Sequence, residues 1–185
     1  MASCFAPVLK DGIMGTYVVL FRGVNVGGKN PLPMKSLTTA LEKNGYLNVK
    51  TYIQSGNVVL DGKQLSPDNI SEIVSDNFGF RPEVILLDKS NFLLSVKHNP
   101  FHPEEGKTAH FYFCSSKPKV SMDKIDKLLD DTEEYKLVNN VFYLYAPNGI
   151  GRSKLVANLE SCLGVAVTGR NLNTVKKLEE MVNRV

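Results

Sequence analysis

Between Thr16 and Leu87 the chain runs through an apolar strand signal, a helix, two strand signals around a tight turn, a second helix and another strand, and after residue 107 a similar series returns. This doubled order constrains the fold more than any single motif. In the first series Thr16 to Phe21 is a β-branched and aromatic run of strand length. A Gly- and Asn-rich loop follows, and Pro33 can open a helix on which Met34, Leu37 and Leu41 recur at helical spacing before Gly45 closes it. Val49 to Gln54 and Asn57 to Leu60 flank Ser55-Gly56 as a hairpin. Ser66 caps and Pro67 opens a helix carrying Ile70, Ile73, Val74 and Phe78, which Gly79 ends, and Glu83 to Leu87 is the next strand.

In the second series Ser90 to Val96 reads as a linking helix stopped by Pro100, and Thr108 to Cys114 as a strand. Ser121 caps a helix bearing Met122, Ile125, Leu128 and Leu129. Tyr135 to Val138 and Val141 to Ala146 then flank Asn139-Asn140 as a hairpin. Arg152 to Leu163 reads as one helix, Val165 to Val167 as a last short strand, and a final helix starts at Asn171. The order β-α-β-β-α-β is the ferredoxin-like unit. The expected fold class is therefore α+β: two ferredoxin-like β-α-β-β-α subdomains, an internal duplication, packed together. The expected divisions are an N-terminal extension or leader over residues 1–13, a first subdomain over 14–98, and a second over 99–185 with the C-terminal helix. Each half is near the lower size limit for an independent core, so the two should share packing. Each sheet is expected to be antiparallel and backed by helices of its own half, with Val18 and Leu20 buried.

Composition excludes several classes. The formal charge of +3 on 185 residues describes a mixed surface and gives nucleic acid no support as a partner. Cys4, Cys114 and Cys162 form neither a disulfide framework nor a metal knuckle, which points to a reducing, cytoplasmic setting. No apolar stretch reaches the ~18 residues of a membrane span, and residues 1–13 make a poor signal peptide. A monomer is favoured over an oligomer, and no cofactor is implied.

The segment Gly23-Val24-Asn25-Val26-Gly27-Gly28-Lys29-Asn30 follows a strand and nearly spells the phosphate loop G-x-x-x-x-G-K-[ST]. Asn30 has no hydroxyl for magnesium, and Pro31 and Pro33 keep a helix from starting after Lys29. A nucleotide-hydrolysing loop is not expected; a weaker anion nest of Gly27 and Gly28 amides with Arg22 or Lys29 is. Ser55 lies in a turn, not in the strand-to-helix elbow of a nucleophile. His98 and His102 are separated by Pro100, so they do not share a helical face. His110 shares a strand face with Tyr112 and Cys114, and no metal site is read there. Tyr143 and Tyr145 alternate on a strand without the RNA-recognition signature. Gly149-Ile150-Gly151-Arg152-Ser153-Lys154 and Thr168-Gly169-Arg170-Asn171-Leu172-Asn173-Thr174 each put an Arg beside amide donors and a cap at a helix N-terminus, a competent anion arrangement.

Phe21-Arg22-Gly23-Val24-Asn25-Val26-Gly27-Gly28 with Pro33-Met34, Thr51 to Val59, Asn99-Pro100-Phe101, Gly151 to Leu155, and Arg170-Asn171 with Asn173-Thr174-Val175 together resemble the domain of unknown function 1697 family. Leu172 stands where that pattern commonly has Trp, so any ring contact made there is missing. The resemblance implies a bacterial-type cytoplasmic protein of two α+β subdomains related to the ferredoxin-like fold, and it implies no activity.

Two function classes follow. One is a binding module for a small anionic, phosphate-bearing ligand in a groove between the subdomains, held by Arg22, Asn25, Gly27, Gly28, Arg152, Ser153, Arg170, Asn171 and Asn173. The other is a metal-independent enzyme acting on a small anionic substrate, whose Arg and Asn groups stabilise developing negative charge. Its general base would come from outside these segments.

Overall fold

The computed structural model describes residues 13–184; residues 1–12 of the expected extension, Cys4 among them, lie outside the described residues. In chain order the elements are β1 (Met14–Arg22), α1 (Met34–Lys43), β2 (Leu47–Tyr52), β3 (Asn57–Lys63), α2 (Pro67–Phe78), β4 (Glu83–Asp88) and α3 (Lys89–Lys97). There follow β5 (Ala109–Cys114), α4 (Met122–Leu128), β6 (Glu134–Val138), β7 (Val141–Tyr145), α5 (Lys154–Ala157), α6 (Leu159–Leu163), β8 (Val167–Asn171) and α7 (Leu172–Asn183). They build two four-stranded antiparallel sheets, ordered β2-β3-β1-β4 and β6-β7-β5-β8. Strand for strand the two orders correspond.

The central strands have both faces covered, which is why their sequences read as unbroken apolar runs. Along β1, Val18 and Leu20 face one core while Val19 and Phe21 face another. The outer core of the first half packs β1 and β3 against Leu37, Leu41, Ile70 and Val74 of α1 and α2. The outer core of the second half sets Phe142, Leu144 and Tyr112 against Ile125, Leu155, Leu159 and Cys162. Between the sheets lies a shared core, where Phe92 of α3 and Val175, Leu178 and Val182 of α7 meet Val18, Leu20, Phe111, Phe113 and Tyr143.

That shared layer corrects the expectation that helices back only their own sheet. Helix α7 contacts β1 and β3 of the first half as well as β5 and β8 of the second. Its Leu172, Val175, Leu178 and Val182 stripe lies in the apolar layer between the inner faces of the two sheets. Polar bonds fix the layer further: Tyr143 Oη donates to the Ser95 carbonyl at 2.7 Å, and Lys89 Nζ to the Val182 carbonyl at 2.7 Å.

Local signals explain most boundaries. Ser66 Oγ accepts from Asn69 N and Gly79 closes α2 at φ 79°; Asp88 caps α3 through Asn91 N. Three expectations change. The first hairpin ends its strand at Tyr52 and turns through four residues, with Ile53 at φ 48°. The helix expected over Arg152 to Leu163 is two short helices interrupted at Asn158, whose φ of −119° is not helical. The last strand is not Val165 to Val167 but Val167–Asn171, because residues 167–171 pair with Cys114 to His110. No helix among the described residues is long and apolar enough to cross a membrane.

Candidate functional site

The Gly23–Asn30 loop closes on itself. Lys29 N donates to Val26 O at 3.0 Å, and Gly27 and Gly28 between them have φ of 57° and 75°. Two successive left-handed residues make a type I′ turn, not the alternating right- and left-handed pair that aims amides into a nest. Asn25 holds the base of the loop: its Nδ2 donates to the Leu32 and Gln54 carbonyls, and its Oδ1 accepts from Leu32 N at 2.7 Å. Asn25 is thus a clamp whose amide is fully engaged. Helix α1 begins only at Met34, after both prolines, so no helix N-terminus faces Lys29.

Arg22 and Arg170 do come together, at the junction of the halves. Arg22 Nε donates to the Val167 carbonyl of β8 at 3.2 Å, and its terminal nitrogens pair with Glu83 and Glu160. In return Arg170 reaches the end of β1. Its Nε donates to Asn57 Oδ1 at 2.5 Å and Nη1 to the Gly169 carbonyl, while Nη2 donates to the carbonyls of Phe21, Ser55 and Gly56 at 2.9, 2.9 and 3.3 Å. Burial pulls the guanidinium down to about 10, still charged at neutral pH. It has no carboxylate partner among the described residues; neutral oxygens solvate it instead. Extending β8 to Asn171 is what changes Arg170 from a loop residue into an inward-facing strand residue. Nε and Nη2 are occupied by protein and Nη1 spends one of its two hydrogens on Gly169, which leaves little of the guanidinium for a ligand.

Gly56 is part of the same joint. At φ 77° any Cβ there would come within 2.7 Å of Phe21 Cβ and Val24 Cγ2, so glycine alone lets the turn approach β1 and present its carbonyl to Arg170. The groove beside this junction, about 320 Å³, is lined by Arg22, Asp68, Arg81, Glu83, Ser115 and Ala166. It mixes both signs of charge, and Arg22 there is already paired.

Asn171 caps α7 by accepting from Thr174 N at 2.9 Å, and Asn173 rests its Oδ1 against Gly106. Ser153 caps α5 by accepting from Val156 N at 3.1 Å. Arg152 belongs elsewhere. It is exposed and lines a cleft of about 540 Å³ in the second half, with Lys127, Asp130, Glu133, Gly151 and Lys154. None of the three cations forms an ion pair among the described residues. Asp130 is held by Thr132, whose N and Oγ1 donate to its Oδ1; these bonds keep its carboxyl below the usual range. Of the three segments expected to share one ligand, two meet at the junction and Arg152 lies in a different hollow.

The expectation placed the histidines outside any site, yet β5 carries two polar tips into the core. His110 is 8% exposed and Tyr112 6%, their rings stack at 6.3 Å, and neither His110 Nε2 nor Tyr112 Oη has a hydrogen-bond partner among the described residues. Burial lowers the His110 pKa, opposed by the Lys107 carbonyl, and burial with the charge of Glu133 raises that of Tyr112. The available signal was His110-Phe-Tyr112, two polar tips alternating in a strand whose six residues are all buried.

A search among curated proteins finds no match. The fold is similar to a solved structure described as that of the conserved bacterial protein SP0830 from Streptococcus pneumoniae, with a TM-score of 0.68 over 92% of this chain and 99% of that one, at 22% identity. The profile of a family described as Protein of unknown function (DUF1697) matches residues 14–143, more than half of the sequence, and the chain belongs to that family.

Proposed function

We propose that the protein binds a small anionic, phosphate-bearing ligand, seated in the cleft of the second half and not at the arginine junction between the halves. One observation carries this reading: Arg152, Lys127 and Lys154 line a 540 Å³ cleft, outnumber its carboxylates Asp130 and Glu133, and form no ion pair among the described residues. Clefts of this size suit small molecules, and three unpaired cations favour a phosphate through charge-assisted hydrogen bonds. The halves, 14–98 and 99–185, are on this reading ferredoxin-like subdomains of an internal duplication, which their corresponding strand orders support. A cytoplasmic monomer is part of the proposal. The buried thiols Cys114 and Cys162 suit a reducing compartment, and burial pushes Cys114 up to about 11, an unreactive thiol.

Isothermal titration calorimetry with inorganic phosphate tests the site. Binding should weaken with added salt, and Arg152→Ala should reduce it about tenfold. A flat titration of the wild-type protein, or an Arg152→Ala protein that binds equally well, overturns the proposal. The second reading, a metal-independent enzyme, gains support from His110, a buried imidazole kept neutral and available as a base. Product analysis after incubation with phosphate esters separates the two, and binding without conversion is the expected result.

A further inference from the structure

The cleft and the hollow containing His110 share a wall. His110 lines a space of about 330 Å³ with Pro147, Asn148, Gly149 and Ile150, and Asn148 and Gly149 also line the cationic cleft. His110, which lines this hollow, and Tyr112, whose ring stacks on it at 6.3 Å, carry the unpartnered buried atoms Nε2 and Oη among the described residues. Glu133, 8% exposed, lines the cleft and bears electrostatically on Tyr112. Its Oε2 accepts only from the Asp130 amide, at 3.2 Å, and it has no cationic partner among the described residues.

Buried polar atoms in a folded protein are ordinarily hydrogen-bonded, and an orphan needs an explanation. Here there are two, side by side, on a face where Phe and Leu would pack without that cost. Their chemistry limits what can satisfy them. Burial favours neutral His110, which keeps one ring nitrogen as an acceptor, and a Glu133 carboxylate only accepts. Tyr112 both donates and accepts. A second phosphate would meet the charge of Glu133, and an ammonium offers no acceptor for the Tyr112 hydroxyl. A polyol has both donors and acceptors, at hydroxyl spacing, and no charge.

We propose that the cationic cleft and the His110 hollow are two ends of one site for a phosphorylated polyol of the sugar-phosphate class. Its phosphate lies at Arg152, and its hydroxyl-bearing end is read by Tyr112, Glu133 and His110. This inference rests on the anion-binding reading and adds the nature of the rest of the ligand. The Ala146–Ser153 loop separates the two hollows, so one ligand spanning both requires that loop to shift.

The test compares inorganic phosphate with ribose 5-phosphate on the full chain by calorimetry. Ribose 5-phosphate should bind about tenfold or more tightly than phosphate. Tyr112→Phe removes one oxygen, and with a group that had no protein partner gone, the thermal midpoint should not fall. It should erase most of the sugar-phosphate advantage while leaving inorganic phosphate affinity unchanged. Glu133→Gln gives an independent reading and should shrink the same advantage. If the wild-type protein binds the two probes equally, or folded Tyr112→Phe keeps the full advantage, the polyol end is overturned and the phosphate site stands. If neither probe binds the wild-type protein, both proposals are overturned.

Discussion

Arg152 and Arg170 have nearly the same neighbourhood in sequence: Gly151-Arg152-Ser153 and Gly169-Arg170-Asn171, each with a capping residue directly after the arginine. In space they have opposite fates. Arg152 follows a run of turns and stays exposed at the rim of a cleft. Arg170 follows residues paired to β5, so strand alternation points it inward, into a cage of carbonyls at the seam of the two halves. Identical local grammar therefore yields a surface cation in one place and a structural bolt in the other. The deciding variable is whether the preceding segment is paired in a sheet, which is a long-range property.

Stability measurements can break this comparison. The largest effect should come from Arg170→Ala, which strands buried oxygens of Phe21, Gly56 and Asn57 and frees the half-buried Ser55 carbonyl; urea unfolding should show a loss of about 3 kcal/mol or more. Arg170→Lys should recover little of it, since an ammonium cannot span that fork. A loss under about 1 kcal/mol for the alanine variant would end the bolt description. Gly56→Ala should follow at roughly 2 kcal/mol, from left-handed backbone strain and the clash with Phe21 and Val24. An unchanged unfolding midpoint there would mean the turn need not approach β1 so closely.

A smaller, pH-dependent effect sharpens the contrast inside the second half. The folded pKa of His110 is depressed by burial, so below about 6.5 the unfolded chain binds a proton that the native state refuses. Stability from this group is complete above that pH and is lost as pH falls, by at most about 1.4 kcal/mol per unit. In thermal melts from pH 7.5 to 5, His110→Gln should flatten the decline; identical slopes in both proteins would show that His110 protonates freely when folded. Smallest of all should be Arg152→Ala, within about 0.5 kcal/mol of wild type in the urea experiment that unfolds Arg170→Ala. Comparable losses for the two arginines would erase the distinction between them.

The legibility of the site follows the same division. Caps at Ser153 and Asn171 were readable because capping is a contact over three residues. The shape of the Gly27-Gly28 turn was half readable: glycines announce left-handed backbone, but the turn type depends on Val26 and Lys29 closing across it. His110 and Tyr112 escaped as a site because nothing in their spacing says that a buried strand leaves their polar tips without partners.

By itself the sequence determined the succession of strands and helices, the placement of prolines that keep α1 away from Lys29, and the apolar runs of the doubly covered strands. Each of these is set by residues within a few positions of one another, where dihedral preference and hydrophobic period act directly. Only the tertiary structure decided that α7 is shared between the sheets, that β8 extends far enough to turn Arg170 inward, and that Arg152 stays exposed and forms no ion pair among the described residues. Those outcomes depend on pairings such as Arg170 with Phe21 and Asn57, more than a hundred residues apart in the chain, and local preferences carry no information about which distant oxygens a guanidinium will meet.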